Sequence, residues 1–269
     1  MEKYIWNSAL EAPFIASRQN SRVVSWGKLA DKKHREKAGA FLCEGVKLTL
    51  EAAEWGRLSE VLVRESDAPR LEETVKDIMD RGCEIFVLSD SAFDKITTEK
   101  APQGIIGVAS VCREGEESIG DGLVLLLDCV RDPGNLGAIL RSACALGGVT
   151  VALHSCVDLY GPKTVRAAMG AIFKTRVVFV EDAVAFASRM RGSGRRVLSA
   201  ALDENAMKLG QYETRKNDVI VIGNEGHGIS SELIEASSGS MIIPMEANTE
   251  SLNASVAASV ILWEYARRG

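Results

Sequence analysis

The sequence predicts two α/β domains in series, the second built on a mainly parallel sheet. Three observations carry this. Beyond residue 122, continuous apolar runs are separated by helical patterns, as expected for strands covered by helices on both faces. Before residue 113, helix-like and strand-like segments alternate, which suggests a smaller α/β domain. Between them, REGEESIGDG (113–122) is polar, contains glycine, lacks apolar periodicity and reads as a linker. The expected division is therefore 1–112, a linker at 113–122, and 123–269.

The chain of 269 residues is long enough for this plan, and its 46% hydrophobic and 26% charged residues are those of an ordinary globular protein. No apolar run approaches the roughly 20 residues of a membrane span. The opening MEKYIWNSALEAPF lacks the basic-then-apolar layout of a signal peptide, so the expected location is the cytoplasm.

In the first domain, FLCEGVKLTLEAAEWG suggests a helix closed by Gly56, followed by LSEVLVRE as a strand. LEETVKDIMDRG suggests a helix ending at Gly82, and CEIFVLSD a second strand. SAFDKITT fits a short helix and GIIGVASV a final buried strand. Ahead of these lies a local basic stripe, SRQNSRVVSWGKLADKKHREK, with Arg18, Arg22, Lys28, Lys32, Lys33, Arg35 and Lys37 opposed by Asp31 and Glu36. The net charge of −5 argues against nucleic acid, but a local stripe can bind phosphates on an acidic protein. Trp26, Asn20 and Gln19 interleaved with the cations tilt the stripe toward RNA; a solvated helix face is the bland alternative.

In the second domain the strand candidates are LVLLLDC, VTVAL, RVVFV, VLSAA, DVIVIG and SMIIPM, with helical patterns such as GAILRSACALGG and DAVAFASRMRG between them. Ligands of open parallel sheets sit beyond the carboxyl ends of the strands. Three such ends are chemically unusual: RDPGNLG, GNEGHG and PMEANTESLN. Neither glycine loop has the spacing of a dinucleotide fingerprint, and the lysine of a P-loop is missing. Arg141 lies four residues after Gly137, and a helical side chain leans toward the N-terminus, so it should reach toward the loop holding Asn135. An arginine there opposes the helix dipole, so stability alone does not explain it.

Glu225 stands in the glycine loop, where a carboxylate could orient an arginine or accept a proton. Ser251 is a natural N-cap for the last helix, whose apolar positions 252, 256, 260 and 263 follow helical spacing; that cap leaves Asn253 unexplained. His227 has no triad partners and reads as a loop residue. The six cysteines, at 43, 83, 112, 129, 144 and 156, form no C-x-x-C pair, and with three histidines they make a poor ligand set. Cys129 and Cys144 read as core thiols, and no metal is expected.

Together the three segments resemble the motifs of the SpoU-type (TrmH-like) RNA ribose methyltransferases of the SPOUT superfamily, in DPGNLGAILRSA, VIGNEGHGIS and IIPMEANTESLNASVAASVILWE. GPKTVRAAMGAIFK resembles the family's segment between the first two motifs, with Ala168 where many members have serine. SRQNSRVVSWGKLADKKHREKAGAFLCEGVKLTLEA and PQGIIGVAS resemble the two ends of the substrate-binding domain attached to many members. The resemblance implies a C-terminal trefoil knot that binds S-adenosylmethionine, a topology that general folding rules rank as improbable. It also implies a homodimer, with the active site completed near the knot interface.

By the same resemblance Arg141 is the catalytic arginine, with Asn135, Glu225, Ser251 and Asn253 as its companions. Gly223, Ile243 and Leu252 match cofactor contacts. The implied reaction is methyl transfer to a ribose 2′-hydroxyl, in large-subunit (23S) ribosomal RNA, with Arg18, Arg22, Lys28, Lys32, Lys33, Arg35, Lys163 and Arg166 facing phosphates. A transfer RNA 2′-O-methyltransferase, or a non-catalytic RNA-binding protein that retains the fold, are the alternatives. Neither DNA nor a membrane is an expected partner.

Overall fold

A computed structural model describes residues 5–7, 12–203, 205–246 and 251–268. The chain divides into two compact units, 1–112 with 160–173, and 113–159 with 174–269. Among the described residues no helix is long and apolar enough to cross a membrane.

The first unit runs β1 (Ile5–Asn7), β2 (Ala12–Ile15), α1 (Ser21–Lys28), α2 (Lys32–Ala38), β3 (Ala40–Glu44), α3 (Val46–Glu54), β4 (Leu58–Arg64), α4 (Ala68–Asp80), β5 (Glu84–Leu88), α5 (Asp90–Phe93) and β6 (Ile105–Ser110). Among the described residues, six strands form a mixed sheet in the order β1-β2-β5-β4-β6-β3. The stretch expected as one helix from Phe41 to Gly56 is a strand followed by a helix. Residues 40–44 pair antiparallel with β6, and the break falls at Gly45, whose φ of 102° is closed to most side chains. Four apolar-to-neutral residues suffice for a strand but not for an amphipathic helix, and the β-sheet partner decides.

One face of this sheet carries α1 and α5 over a core that includes Val23, Trp26, Phe86 and Phe93. The other carries α4 through Leu71, Val75 and Ile78. Trp26 is therefore a core residue: it packs 5.2 Å from the Phe86 ring, and its indole N–H donates to Glu60 at 2.7 Å. Burial of the indole removes it from any stack with a base. The stretch 160–173, which includes α7 (Pro162–Ala168), also belongs to this unit. Tyr160 lies 4.7 Å from the Phe41 ring and donates its hydroxyl to the Cys112 carbonyl, and Phe173 stacks on Phe41 at 6.1 Å.

The second unit begins with residues expected as a linker, which are ordered by specific contacts. A 3₁₀ turn at Glu116–Ser118 is held by Arg189, which donates to both Glu116 oxygens at 2.8 and 2.6 Å. Then follow β7 (Leu123–Asp128), α6 (Pro133–Leu146) and β8 (Val149–His154); after 160–173, whose last turn is α8 (Ala171–Lys174), the unit resumes with β9 (Arg176–Val180), α9 (Ala183–Gly192), β10 (Val197–Ala200), β11 (Met207–Lys208), β12 (Val219–Ile222), α10 (Ser231–Ala236), β13 (Gly239–Ile242) and α11 (Ala254–Arg268). Among the described residues the seven strands are all parallel, in the order β11-β13-β10-β12-β7-β8-β9. Every residue of β7 and β12 is buried, which explains why both read as unbroken apolar runs.

Candidate active site

The carboxyl ends of β7, β12 and β13 lead into the three polar loops, of which residues 247–250 lie outside the described part. The first loop turns into α6 through Asp132, whose carboxylate accepts from the Asn135 N–H at 2.8 Å and caps the helix, with Pro133 in its first turn. The second loop is a tight turn in which Asn224 and Gly228 exchange both backbone hydrogen bonds at 3.0 Å. A Cβ on Gly223 would lie 2.4 Å from the Gly228 carbonyl carbon, so only glycine fits there. The third loop ends at Asn253. Its side-chain oxygen accepts from the N–H groups of Ser255 at 2.9 Å and Val256 at 3.4 Å. Asn253 is therefore the cap of α11, not Ser251 as the sequence suggested.

A hydrogen-bonded relay joins the three loops. Asn253 Nδ2 donates to Asn135 Oδ1 at 2.9 Å, and Asn135 Nδ2 donates to Glu225 Oε1 at 2.9 Å. Glu225 also accepts from the backbone N–H of Arg131 at 3.2 Å and of Asp132 at 3.4 Å. The direction of this chain is forced at both ends. Backbone N–H groups claim the Asn253 oxygen, and an ionised carboxylate only accepts, so both amides have one usable orientation. Partial burial pushes the Glu225 carboxyl up, but the bonds from Asn135 and from the backbone of Glu225, Arg131 and Asp132 outweigh it and hold the carboxyl below its usual value.

A cavity of about 540 Å³ opens beside the relay, within the usual range for small-molecule sites. Gly223, Ile243 and Leu252 all line it, as do Glu225, Ser251 and Asn253. Apolar walls from Ile222, Met241 and Ala257 face the polar edge formed by the second and third loops. Such a site suits an amphipathic ligand with a flat apolar part and a polar, charged part. The relay, the cavity and their strand-end position coincide in one place.

The chain belongs to the SpoU rRNA methylase family. That family's model matches residues 122–263, and a model described as the MRM3-like substrate binding domain matches residues 20–107. Among curated relatives, the 23S rRNA (guanosine(2553)-2′-O)-methyltransferase RlmP of Bacillus subtilis is 33% identical over 93% of this chain and 97% of its own. The 23S rRNA (uridine(2479)-2′-O)-methyltransferase of Streptomyces viridochromogenes is 29% identical over 94% and 92%. Among solved structures, the AdoMet-bound rRNA methyltransferase of Sinorhizobium meliloti superposes with a TM-score of 0.82 at 27% identity, covering 95% of this chain and 98% of that one.

Arg141 lies outside the relay. It is exposed on α6, and its guanidinium makes no hydrogen bond or ion pair to another described residue. The residues expected to meet RNA divide in two. Arg18, Lys28, Lys32, Lys33 and Lys163 are exposed. Arg35 is only 4% exposed, and its guanidinium donates to the Leu29 and Ala30 carbonyls at 2.7 Å each, so it closes the turn between α1 and α2 and leaves the stripe. Arg22 sits on the Phe86 ring and pairs with Glu60 at 3.4 Å and Glu84 at 3.8 Å; Arg166 is paired with Glu99. These two hold structure in the free protein.

One residue that sequence reasoning passed over is Asn224. Its Nδ2 donates to the Cys129 carbonyl at 2.8 Å, while its Oδ1 accepts from the N–H of Gly226 at 2.9 Å and of His227 at 3.1 Å. It shapes the second loop and ties it to the first. Its place between Gly223 and Glu225 was the available signal.

Proposed function

We propose that this protein is an S-adenosylmethionine-dependent methyltransferase that modifies a ribose 2′-hydroxyl of large-subunit ribosomal RNA. The observation that carries this is the Asn253–Asn135–Glu225 relay at the edge of the cavity lined by Gly223, Ile243 and Leu252. When bound, S-adenosylmethionine supplies an electrophilic methyl group on a sulfonium centre. The cavity residues fit its amphipathic shape: Ile222, Met241 and Leu252 offer apolar surface, and Glu225 offers negative charge on the polar side.

The chain must align the ribose oxygen and help its proton leave, because a neutral hydroxyl is a poor nucleophile. Arg141, with no partner to tie it down among the described residues, is free to approach the 2′-hydroxyl and its neighbouring phosphate. Its permanent charge stabilises the developing alkoxide. Asn135, Glu225 and Asn253 fix the loop geometry, and Ser251 stands at the rim, where it can brace the third loop or meet RNA. Arg18, Lys28, Lys32, Lys33 and Lys163 supply phosphate contacts.

The working unit in this proposal is a cytoplasmic homodimer with a trefoil-knotted catalytic domain. Val256, Val260 and Trp263 support the dimer: they recur at helical spacing on α11 and are 47%, 37% and 60% exposed, so the apolar stripe of that helix faces outward. The test is a radiolabelled methyl-transfer assay with unmodified ribosomal and transfer RNA pools, followed by nuclease digestion and mass spectrometry. Label on a ribose 2′-oxygen of ribosomal RNA is expected. Label on a base, or on transfer RNA alone, overturns the assignment.

A further inference from the structure

Beneath the first loop, Asp128, Cys129 and His154 bring one carboxylate oxygen, one thiol and one imidazole nitrogen within 4.8 Å of one another. Asp128 ends β7 and His154 ends β8, and the two are register partners in the parallel ladder. The Asp128 side chain is only 10% exposed. Among the described residues its carboxylate meets no N–H donor at hydrogen-bond distance; it faces the Cys129 thiol and, at 3.8 Å, His154 Nε2. A buried carboxylate left with so little is costly unless something else neutralises it.

His154 shows what that something is. Its other nitrogen, Nδ1, lies 3.2 Å from the Val180 carbonyl and can only donate there. In the neutral ring that bond leaves Nε2 as the acceptor, turned toward the carboxylate. At 3.8 Å the pair is too far apart for a direct hydrogen bond. It does suit two atoms on one ion: ligands about 2.1 Å from a tetrahedral zinc stand roughly 3.4 Å apart. A histidine that gives its second N–H to a backbone carbonyl is the usual support for a metal ligand. Cys129 has a positive φ of 59°, rare outside glycine, which the surrounding turn must hold.

We infer that Asp128, Cys129 and His154 form a binding site for a thiophilic divalent cation such as zinc, with solvent as the fourth ligand. On binding, the Cys129 thiol gives its proton to solvent and the thiolate bonds the metal. The Cys129 carbonyl also holds Asn224, so an occupied site would stiffen the junction of the first two loops. Cys156 lies nearby, but its sulfur is engaged with the Leu127 and His154 carbonyls at 3.3 and 3.4 Å, and it is not a ligand in this scheme.

The test uses the untagged full chain, stripped with a chelator and titrated with zinc against a competing dye, and with cobalt as a spectroscopic probe. One equivalent per chain is expected, with a thiolate-to-cobalt charge-transfer band. Cys129→Ser should abolish the band, His154→Gln should weaken zinc binding by about tenfold or more, and Cys156→Ser should retain both. Circular dichroism checks that each variant is folded; if Cys129→Ser is not, His154→Gln decides. No stoichiometric binding, a band that survives Cys129→Ser, or an affinity unchanged in His154→Gln overturns the site.

Discussion

Asn135 donates to Glu225 at 2.9 Å across two loops that are 90 residues apart in the chain. This contact, continued to Asn253, sets the relative position of the first and second loops and the start of α11. Replacing the amide by a carboxylate keeps the size and the acceptor for Asn253 but removes the donation to Glu225. Asn135→Asp would set two carboxylates face to face and leave Glu225 with backbone partners only. We expect methyl transfer to fall by about 100-fold or more, in line with the loss of a positioning group, while the melting temperature drops by only a few degrees. A variant with activity within a factor of three of the parent would show that the relay is incidental.

Glu225 has a lowered pKa in the folded state, so its ionised form favours folding. Above the ordinary carboxylate value of about 4.3 its ionised form contributes stability, and that contribution is lost as pH falls through the lower folded value. Urea melts of the parent and Glu225→Gln across pH should therefore differ most at neutral pH and converge in acid. Because the group is exposed, the difference should be small. A gap that widens below the carboxylate range would contradict the geometry.

Asn224 makes one bond across loops and two within its own. Asn224→Ala frees the Cys129 carbonyl and two N–H groups at once. At about 1 kcal/mol for each lost bond, partly recovered by water, the expected destabilisation is about 1–2 kcal/mol. Calorimetric titration with S-adenosylmethionine should show weaker binding, because this loop lines the cavity. Unchanged affinity would separate the loop from the cofactor.

The basic segment separates into structural and exposed cations, and the two classes should behave differently. Lys32→Ala with Lys33→Ala should leave the melting temperature within a degree or two but weaken RNA binding. The slope of log affinity against log salt should fall by about 1.4 to 1.8, the loss of two phosphate contacts. Arg35→Ala should instead destabilise by about 1–3 kcal/mol, because the Leu29 and Ala30 carbonyls lose their partner. Trp26→Ala should cost about 3–5 kcal/mol as a core deletion. Filter binding across a salt series, with thermal melts alongside, distinguishes the classes.

Why were some of these residues legible and others not? The buried parallel strands announced themselves because helices on both faces demand unbroken apolar runs, as in Leu123–Asp128. Polar loops at strand ends were visible for the same reason: nothing apolar is required there. Charge, by contrast, does not say which way a side chain points. Arg35 and Lys33 look alike in sequence, yet one turns back on its own backbone carbonyls. Caps fail similarly, since Ser251 and Asn253 are both good cap residues and only the start of α11 chooses between them. His154 and Cys129 are 25 residues apart, and no spacing rule joins them; the parallel pairing of β7 and β8 does.

The outward stripe of α11 leads to the last prediction. Val256, Val260 and Trp263 spread over two helical turns, while the buried face of the same helix is made by Ala254, Ala258, Ile261, Leu262 and Tyr265, with Glu264 buried at its end in pairs with Arg267 and Arg268. One helix thus carries two apolar faces, and a helix that packs on one side only has no use for the second. α6 lies against α11, joined by the Ser142–Ser259 hydroxyl contact at 2.7 Å, so Arg141 is next in sequence to a residue that meets this helix. A second copy covering the stripe would bury it and bring foreign residues near Arg141. Val260→Glu should therefore convert a dimer to monomers in sedimentation velocity, with methyl transfer lost and the fold retained by circular dichroism. Arg141→Ala should leave the dimer intact and abolish transfer, with RNA affinity little changed. If Val260→Glu sediments like the parent, the stripe serves something other than a second copy. A fully active monomer would sink the idea that the site needs its partner, even if Arg141 proves essential.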